Sequence, residues 1–226
     1  MFPADISEAY AVLDCIVTEM GVPVGGWKAA LTNDAIMQKM GTTSPACGPL
    51  FQPYIMASPR LLNLPADSKR GLECEFAFRM GAALPPRPEP YTQEEVCAAA
   101  ATLHPAIEVV DARVKNGMDH GAVGIIADHC ANAAFVYGRG EANWRDLDLA
   151  AHESRLSVNG EEVIKGTGQR SSRRSENFAD LACELSVRSR HRLEGRGLGY
   201  DREHDGYLSR AAGEFCGCRF RIFGTG

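Results

Sequence analysis

Residues 71–113 read GLECEFAFRMGAALPPRPEPYTQEEVCAAAATLHPAIEVVDAR, and the two ends of this stretch decide the fold. Apolar residues occupy every second position of residues 72–78, with Glu73 and Glu75 between them. A period of two predicts a β-strand that carries both glutamates on one face. The other end, PAIEVV at residues 105–110, is an apolar run that holds Glu108 and predicts a second strand.

These glutamates form a candidate metal site. An ionised carboxylate inside an apolar run costs several kcal/mol unless it is paired or bound to a cation. Carboxylates of Glu73, Glu75 and Glu108 together make a hard-oxygen set of the kind that magnesium, manganese or calcium takes. The residues alone leave two other interpretations open: a solvated strand face for Glu73 and Glu75, and an ion pair of Glu108 with Arg79 or Arg113.

Composition excludes several classes of function. The chain of 226 residues has 45% hydrophobic and 23% charged residues, typical of a soluble globular domain. A net charge of −5 argues against nucleic acid or an anionic membrane as the main partner. We expect no signal peptide, because no basic segment precedes an apolar one at the N-terminus. None of the eight cysteines forms a CxxC pair, so we expect reduced cysteines and a cytoplasmic protein.

Local patterns place the remaining candidates. Residues 6–20 have helical spacing, with Asp5 or Ser7 as the cap. Lys28 lies in an apolar strand that begins at Val24, where a buried lysine suits proton transfer; a lysine that reaches the surface is the alternative. Residues 42–53 predict a loop near a pocket mouth, and residues 92–103 predict a helix.

Polar residues recur in the apolar segment GAVGIIADHCANAAFVYG at residues 121–138. Asp128, His129 and Asn132 are candidates to line a pocket there. The alternatives are a helix cap by Asp128 and a buried polar contact by Asn132.

The composition changes after residue 168. Residues 169–226 contain 11 arginines, no lysine and eight acidic residues, with little periodicity. On composition we expect this tail to pack poorly, and its interspersed acidic residues weaken any case for an anionic partner.

Several stretches resemble the 2-keto-4-pentenoate hydratase group of the fumarylacetoacetate hydrolase superfamily, in the family's order over roughly residues 6–168. They are GGWKAALTN, the ECE of GLECEFAF, HPAIEVVDAR, IIADHCANAAFVYG and VNGEEVIKGTG. One loop departs from the family, because Cys47 stands where an acidic residue often precedes the glycine at position 48.

The resemblance implies a mixed α/β fold, a fumarylacetoacetate-hydrolase-like curled β-sheet roll with flanking helices and an atypical C-terminal part. It implies a domain at residues 1–168, shorter at both ends than in relatives, followed by an aberrant arginine-rich tail at residues 169–226. It also implies a lyase of aromatic meta-cleavage catabolism that adds water to a small 2-hydroxy-2,4-dienoic (2-oxo) acid. We expect intact relatives to be homo-oligomers.

The resemblance assigns the roles of the family's site residues to individual positions of this chain. Glu73, Glu75 and Glu108 match the carboxylates that hold Mg²⁺ or Mn²⁺, and Lys28 matches the active-site lysine. Asp128 is a second catalytic candidate. The substrate-contacting candidates are Leu31, Phe51 and Asn132.

The tail departs from the family throughout, and a shifted reading frame accounts for the departure. Codons for residues 169–184, read one base later, can spell NVLRGDPKISLTWLAN, and codons from Leu193 onward can spell LKAGDWVTTG. Both match C-terminal family segments. The sequence therefore predicts a frameshifted C-terminus that supplies neither the pocket-closing TTG turn nor a strand to complete the sheet. It also predicts weak or no turnover. The rival functions are a 2-oxo-3-enedioate decarboxylase and an inactive metal-binding homologue.

Overall fold

A computed structural model describes residues 2–64, 70–85, 87–89, 91–167 and, for the backbone, 215–220. The helices are α1 (Ile6–Met20), α2 (Asp34–Lys39), α3 (Gln93–Ala99) and α4 (Gly121–Ala127). The strands are β1 (Val24–Ala30), β2 (Ala46–Phe51), β3 (Ile55–Ala57), β4 (Gly71–Met80), β5 (Ala100–Val110), β6 (Asn132–Tyr137), β7 (Glu153–Val158), β8 (Glu161–Thr167) and β9 (Phe215–Phe220). Within these ranges, no helix is long and apolar enough to span a bilayer.

Helix boundaries follow local capping chemistry. Asp5 accepts the backbone N–H of Glu8 and begins α1, which ends at Gly21 in the left-handed conformation that glycine adopts readily. Thr92 and Glu95 form a reciprocal capping box at the start of α3. The helix predicted at residues 6–20 is thereby confirmed, with Asp5 as its cap.

Seven strands form one sheet in the order β2-β1-β9-β4-β5-β6-β3, and β7 and β8 form a separate hairpin. A flat sheet of seven strands would place its outer strands about 29 Å apart. Yet β2 and β3 are joined by only Gln52–Tyr54, a link that spans at most about 14 Å. The sheet must therefore curl until its outer strands approach each other, and the fold is the curled roll that the family resemblance implies.

Apolar packing differs on the two sides of the roll. Outside, side chains of β4 such as Phe76 and Phe78 pack with α3 and Trp144. A second external core joins α1, α2 and α4 to the ends of β1 and β2. Inside, a small cluster contains Leu50, Ala77, Ala106 and Phe135. The strand alternation therefore gives β4 one face for the core and one for the interior of the roll.

Two predicted local structures are wrong. The segment predicted as a loop contains strand β2, which pairs with β1 from Val24 to Ala30. Pro49 is tolerated there because β2 is an edge strand among the strands that the structure describes. The predicted helix at 92–103 ends at Ala99, since residues 100–103 join β5 opposite β4. Pairing across the sheet outweighs the helix propensity of the alanine run.

The prediction that the tail supplies no strand is also wrong. The backbone of Phe215–Phe220 forms β9, which lies between β1 and β4 and pairs parallel to β1 and antiparallel to β4. Pairing on both sides satisfies backbone groups that β1 and β4 would otherwise expose at an unpaired edge. The predicted absence of the Thr-Thr-Gly turn and the predicted domain boundary after residue 168 concern residues outside those that the structure describes.

Candidate functional site

Three buried glutamates converge inside the roll. Glu73 lies directly opposite Glu108 in the antiparallel pairing of β4 with β5, and Glu75 follows Glu73 on the same face. One carboxylate oxygen of each lies within 4.8 Å of the others, and all three side chains are buried. The strand alternation predicted from residues 71–80 and 105–110 thus produces a compact oxygen cluster.

Lys28 reaches this cluster from β1. Its Nζ donates to Glu108 Oε1 and, at 2.9 Å, to the carbonyl oxygen of Cys130. Asn132 Nδ2 donates to the same Glu108 oxygen at 2.9 Å. Lys28 and Glu108 are both 0% exposed, so their ion pair is fully removed from water. Lys28 is therefore the ion-pair partner that the structure describes for Glu108, and Arg113 pairs with Asp128 instead.

The cluster fits a divalent cation. In ionised form, three carboxylates and one ammonium carry a net charge of −2, which a divalent cation neutralises. Carboxylate oxygens are the donors that Mg²⁺ prefers, and two oxygens on opposite sides of that ion lie about 4.2 Å apart. The oxygens of Glu73, Glu75 and Glu108 lie within 4.8 Å of one another, so side-chain movements of about an ångström would bring them to the ligand spacing of one such ion.

A strained turn leads from α4 into β6. His129, Cys130 and Ala131 have φ angles of 55°, 49° and 56°, in the left-handed region that non-glycine residues rarely occupy. Each such residue costs about 1–3 kcal/mol, so surrounding contacts must hold the turn. The turn is what points the Cys130 carbonyl at Lys28 and the Asn132 amide at Glu108.

His129 anchors one side of this turn. Its Nε2 donates to the carbonyl oxygen of Pro49 on β2 at 2.6 Å, and its ring packs against Phe51. Burial lowers the pKa of His129 to about 4, and the nearby positive charges of Arg113 and Lys28 act in the same direction. His129 is therefore neutral near pH 7, with its proton on Nε2.

Asp128 and Arg113 form the other side. The Asp128 carboxylate accepts the Arg113 backbone N–H at 2.9 Å and the Arg113 Nε–H at 3.2 Å. These contacts lie within the turn region and place Asp128 in a support position next to the cluster. Its predicted catalytic role stays a prediction.

The substrate-contacting candidates occupy different places. Asn132 contacts Glu108 directly. Phe51 is buried at the end of β2 against His129. Leu31, with a φ of 58°, packs in the core formed with α1 and α4. The structure thus brings Asn132 to the carboxylates, while the described contacts of Leu31 lie in the helical core.

The sequence did not predict two other features of the site. The Cys130 carbonyl belongs to the backbone, so no side chain signals it, and the sequence suggests Arg113 only as a partner of Glu108. Gly48 carries a detectable signal: a Cβ there would lie 3.0 Å from the Cys130 Cβ, so glycine lets β2 approach the turn. Cys47, which stands at the family's acidic position, is buried and its N–H donates to the Tyr10 hydroxyl at 3.1 Å.

Comparison with known proteins confirms the resemblance. The 2-keto-4-pentenoate hydratase of Burkholderia vietnamiensis is 30% identical over 148 residues, 66% of this chain and 55% of the relative. A 4-oxalocrotonate decarboxylase of Pseudomonas sp. strain CF600 is 29% identical over 66% of this chain and 55% of the relative. No protein-family model matches the chain.

Solved structures show the same fold. The 4-oxalocrotonate decarboxylase from Pseudomonas putida G7, complexed with magnesium and adipate, superposes with a TM-score of 0.68 at 22% identity. That match covers 96% of this chain and 79% of the other. A fumarylacetoacetate hydrolase family protein from Yersinia pestis gives a TM-score of 0.53 at 14% identity, over 87% and 81% of the two chains. The chain spans about half the length of the first curated relatives that it matches.

Proposed function

We propose that this chain, which has the fold of fumarylacetoacetate hydrolase family proteins and relatives named 2-keto-4-pentenoate hydratase, is a divalent-metal-dependent hydratase. Its substrate would be a 2-hydroxy-2,4-dienoate and its product a 4-hydroxy-2-oxo acid. The observation that carries the proposal is the convergence of Glu73, Glu75 and Glu108 on one point, with Lys28 ion-paired beside them.

Glu73, Glu75 and Glu108 would hold Mg²⁺ or Mn²⁺. A bound cation would supply Lewis-acid polarisation of the substrate's carboxylate and 2-oxo oxygens. The magnesium in the related decarboxylase structure supports this choice of ion.

Lys28 would handle the proton. Among the described residues it donates to Glu108 and to the Cys130 carbonyl, and an ammonium has three N–H donors. The third donor is available to the substrate or to a water molecule. Lys28 would thus give a proton during ketonisation of the dienol or orient the attacking water, while its two protein contacts fix the position of Nζ.

Turnover of 2-hydroxypenta-2,4-dienoate tests the proposal. We expect Mg²⁺-dependent loss of the conjugated diene and formation of 4-hydroxy-2-oxopentanoate. The rate should be weak in the 226-residue chain, rise when the C-terminal reading frame is restored, and vanish in Glu108→Gln. Absence of turnover in both wild-type and frame-restored proteins, each loaded with Mg²⁺, would contradict the hydratase function and favour an inactive metal-binding homologue.

A decarboxylase of 2-oxo-3-enedioates is the second candidate, supported by the relatives of that name. Such a substrate carries a second carboxylate, which requires a further cation in the pocket. Among the buried residues that the structure describes, Lys28 is the only lysine or arginine, and Glu108 already pairs with it. The relatives named 2-keto-4-pentenoate hydratase make the hydratase the first candidate, and release of CO₂ from 2-oxohex-3-enedioate would reverse that order.

A further inference from the structure

Among the described residues, the turn at residues 128–132 contacts both partners of the buried ion pair. Its Cys130 carbonyl accepts from Lys28 Nζ at 2.9 Å, and its Asn132 amide donates to Glu108 at 2.9 Å. Three consecutive residues of the turn are left-handed, and none is glycine or asparagine. L-residues leave this conformation unless other contacts hold them, so the position of Lys28 depends on whatever holds the turn.

Arg113 holds it from the solvent side. The Arg113 guanidinium donates from Nη1 to the Asn132 carbonyl at 2.6 Å and from Nη2 to the Asp128 carbonyl at 2.8 Å. Its Nε donates to the Asp128 carboxylate at 3.2 Å. One planar side chain thus ties the residue that precedes the left-handed segment to the residue that follows it. A lysine carries the same charge but lacks the fork that makes these three contacts at once.

Asp128 completes the clamp. Its carboxylate also accepts the backbone N–H of Arg113 at 2.9 Å, which fixes the start of the Arg113 side chain. Asp128 is 5% exposed, whereas the Arg113 side chain is about half exposed. The clamp therefore has a buried acceptor, Asp128, and an outer donor, Arg113, and it joins the turn to the backbone at residues 113 and 114.

We propose that Arg113 and Asp128 are positioning residues that hold the 128–132 turn so that Cys130 and Asn132 orient Lys28 and Glu108. The inference rests on the proposed function for its effect on turnover, and it assigns Asp128 a support role in place of a catalytic one. Its structural part, the placement of Lys28, stands without any activity.

The test uses Arg113→Lys and Asp128→Asn, with Arg87→Lys as the matched control. Arg87 forms a forked ion pair with Glu95 at the start of α3, a different part of the fold. The first readout is reductive methylation of each lysine, followed by peptide mass spectrometry on metal-free protein. Lys28 is fully buried, and the exposed Lys39, Lys115 and Lys165 report the intrinsic reaction rate.

We expect methylation of Lys28 to be about fivefold faster or more in Arg113→Lys than in wild type, because a loosened turn opens locally. The exposed lysines and the Arg87→Lys control should not change. In the active protein, the turnover number should fall about tenfold or more, while KM changes little, because the reacting groups are misplaced in the transition state. Asp128→Asn keeps the side-chain shape and should show the same pattern, and it carries the test if Arg113→Lys does not fold.

Unchanged methylation of Lys28 in a folded Arg113→Lys or Asp128→Asn protein would overturn the proposal. Equal acceleration in Arg87→Lys would also overturn it, because that result indicates general loss of stability. If wild-type protein shows no turnover, methylation still decides the placement of Lys28, and the missing turnover counts against the proposed function alone.

Discussion

Replacing Lys28 by methionine should lower the free energy of unfolding of the protein. The substitution keeps a long apolar side chain but leaves the carboxylate of Glu108, which is 0% exposed, without its ammonium partner. Removing one partner of a buried ion pair lowers the free energy of unfolding by about 3–5 kcal/mol. For a chain of this size each kcal/mol lowers Tm by about 2–4 °C, so Tm should fall by roughly 10 °C.

The assay is urea and thermal unfolding in metal-free buffer, with Arg87→Met as control. The Arg87–Glu95 pair is about one-third exposed, so water screens it and its loss should change stability far less than the loss of Lys28. Adding Mg²⁺ should stabilise Lys28→Met more than wild type, because the cation supplies the missing positive charge. A Lys28→Met protein as stable as Arg87→Met without metal would refute the buried ion pair.

Burial lowers the pKa of His129 to about 4. As the pH falls, the unfolded chain therefore binds a proton at a higher pH than the folded chain does. The free energy of unfolding, fully present above pH 6.5, should fall by about 3 kcal/mol towards pH 4. His129→Gln should flatten this pH dependence of unfolding; a slope equal to that of the wild-type protein would contradict the assignment. Gly48→Ala places a Cβ 3.0 Å from a side-chain carbon and should cost about 1–3 kcal/mol, whereas Gly71→Ala, with its nearest atom at 3.8 Å, should be neutral in the same unfolding assay. Sequencing the DNA across codons 160–226 should reveal a shifted frame after about codon 168, and an unshifted frame would exclude that origin of the tail.

Features that repeat along one strand were predictable. Residues alternate between faces with a period of two, so the positions of Glu73 and Glu75 on one face followed from the sequence, as did the strand that carries Glu108. The three glutamates meet because β4 and β5 pair with Glu73 opposite Glu108. The sequence also predicted the boundaries of α1 from its capping residue and final glycine.

Features that depend on distant parts of the chain were not predictable. The Lys28–Glu108 pair joins residues 80 positions apart, and local spacing carries no information on such a contact. Strand β2 contains Gly48 and Pro49, which locally favour a loop, yet pairing with β1 makes it a strand. The turn at residues 129–131 has left-handed backbone without glycine, so its contacts with distant residues, among them Lys28, Arg113 and Pro49, explain it.

The strand in the C-terminal tail also depends on distant parts of the chain. Its polar composition predicted no strand, but the backbone of Phe215–Phe220 pairs between β1 and β4. A short segment can complete a sheet through backbone hydrogen bonds alone, and composition averaged over a long stretch does not reveal it. The prediction of weak turnover loses one of its two grounds, while the missing Thr-Thr-Gly turn remains to be tested by activity.

Calorimetric titration of the metal-free chain with Mg²⁺ tests the central claim most directly, because the proposed lyase chemistry depends on Glu73, Glu75 and Glu108 acting as one cation site. We predict one ion bound per chain. Glu108→Gln should weaken the affinity for Mg²⁺ by about 100-fold or more, since a buried ligand charge is lost. Replacing the exposed Glu19 by glutamine should leave the affinity unchanged. Equal Mg²⁺ affinity in wild type and Glu108→Gln, or no binding by folded wild-type protein at millimolar Mg²⁺, would contradict the account.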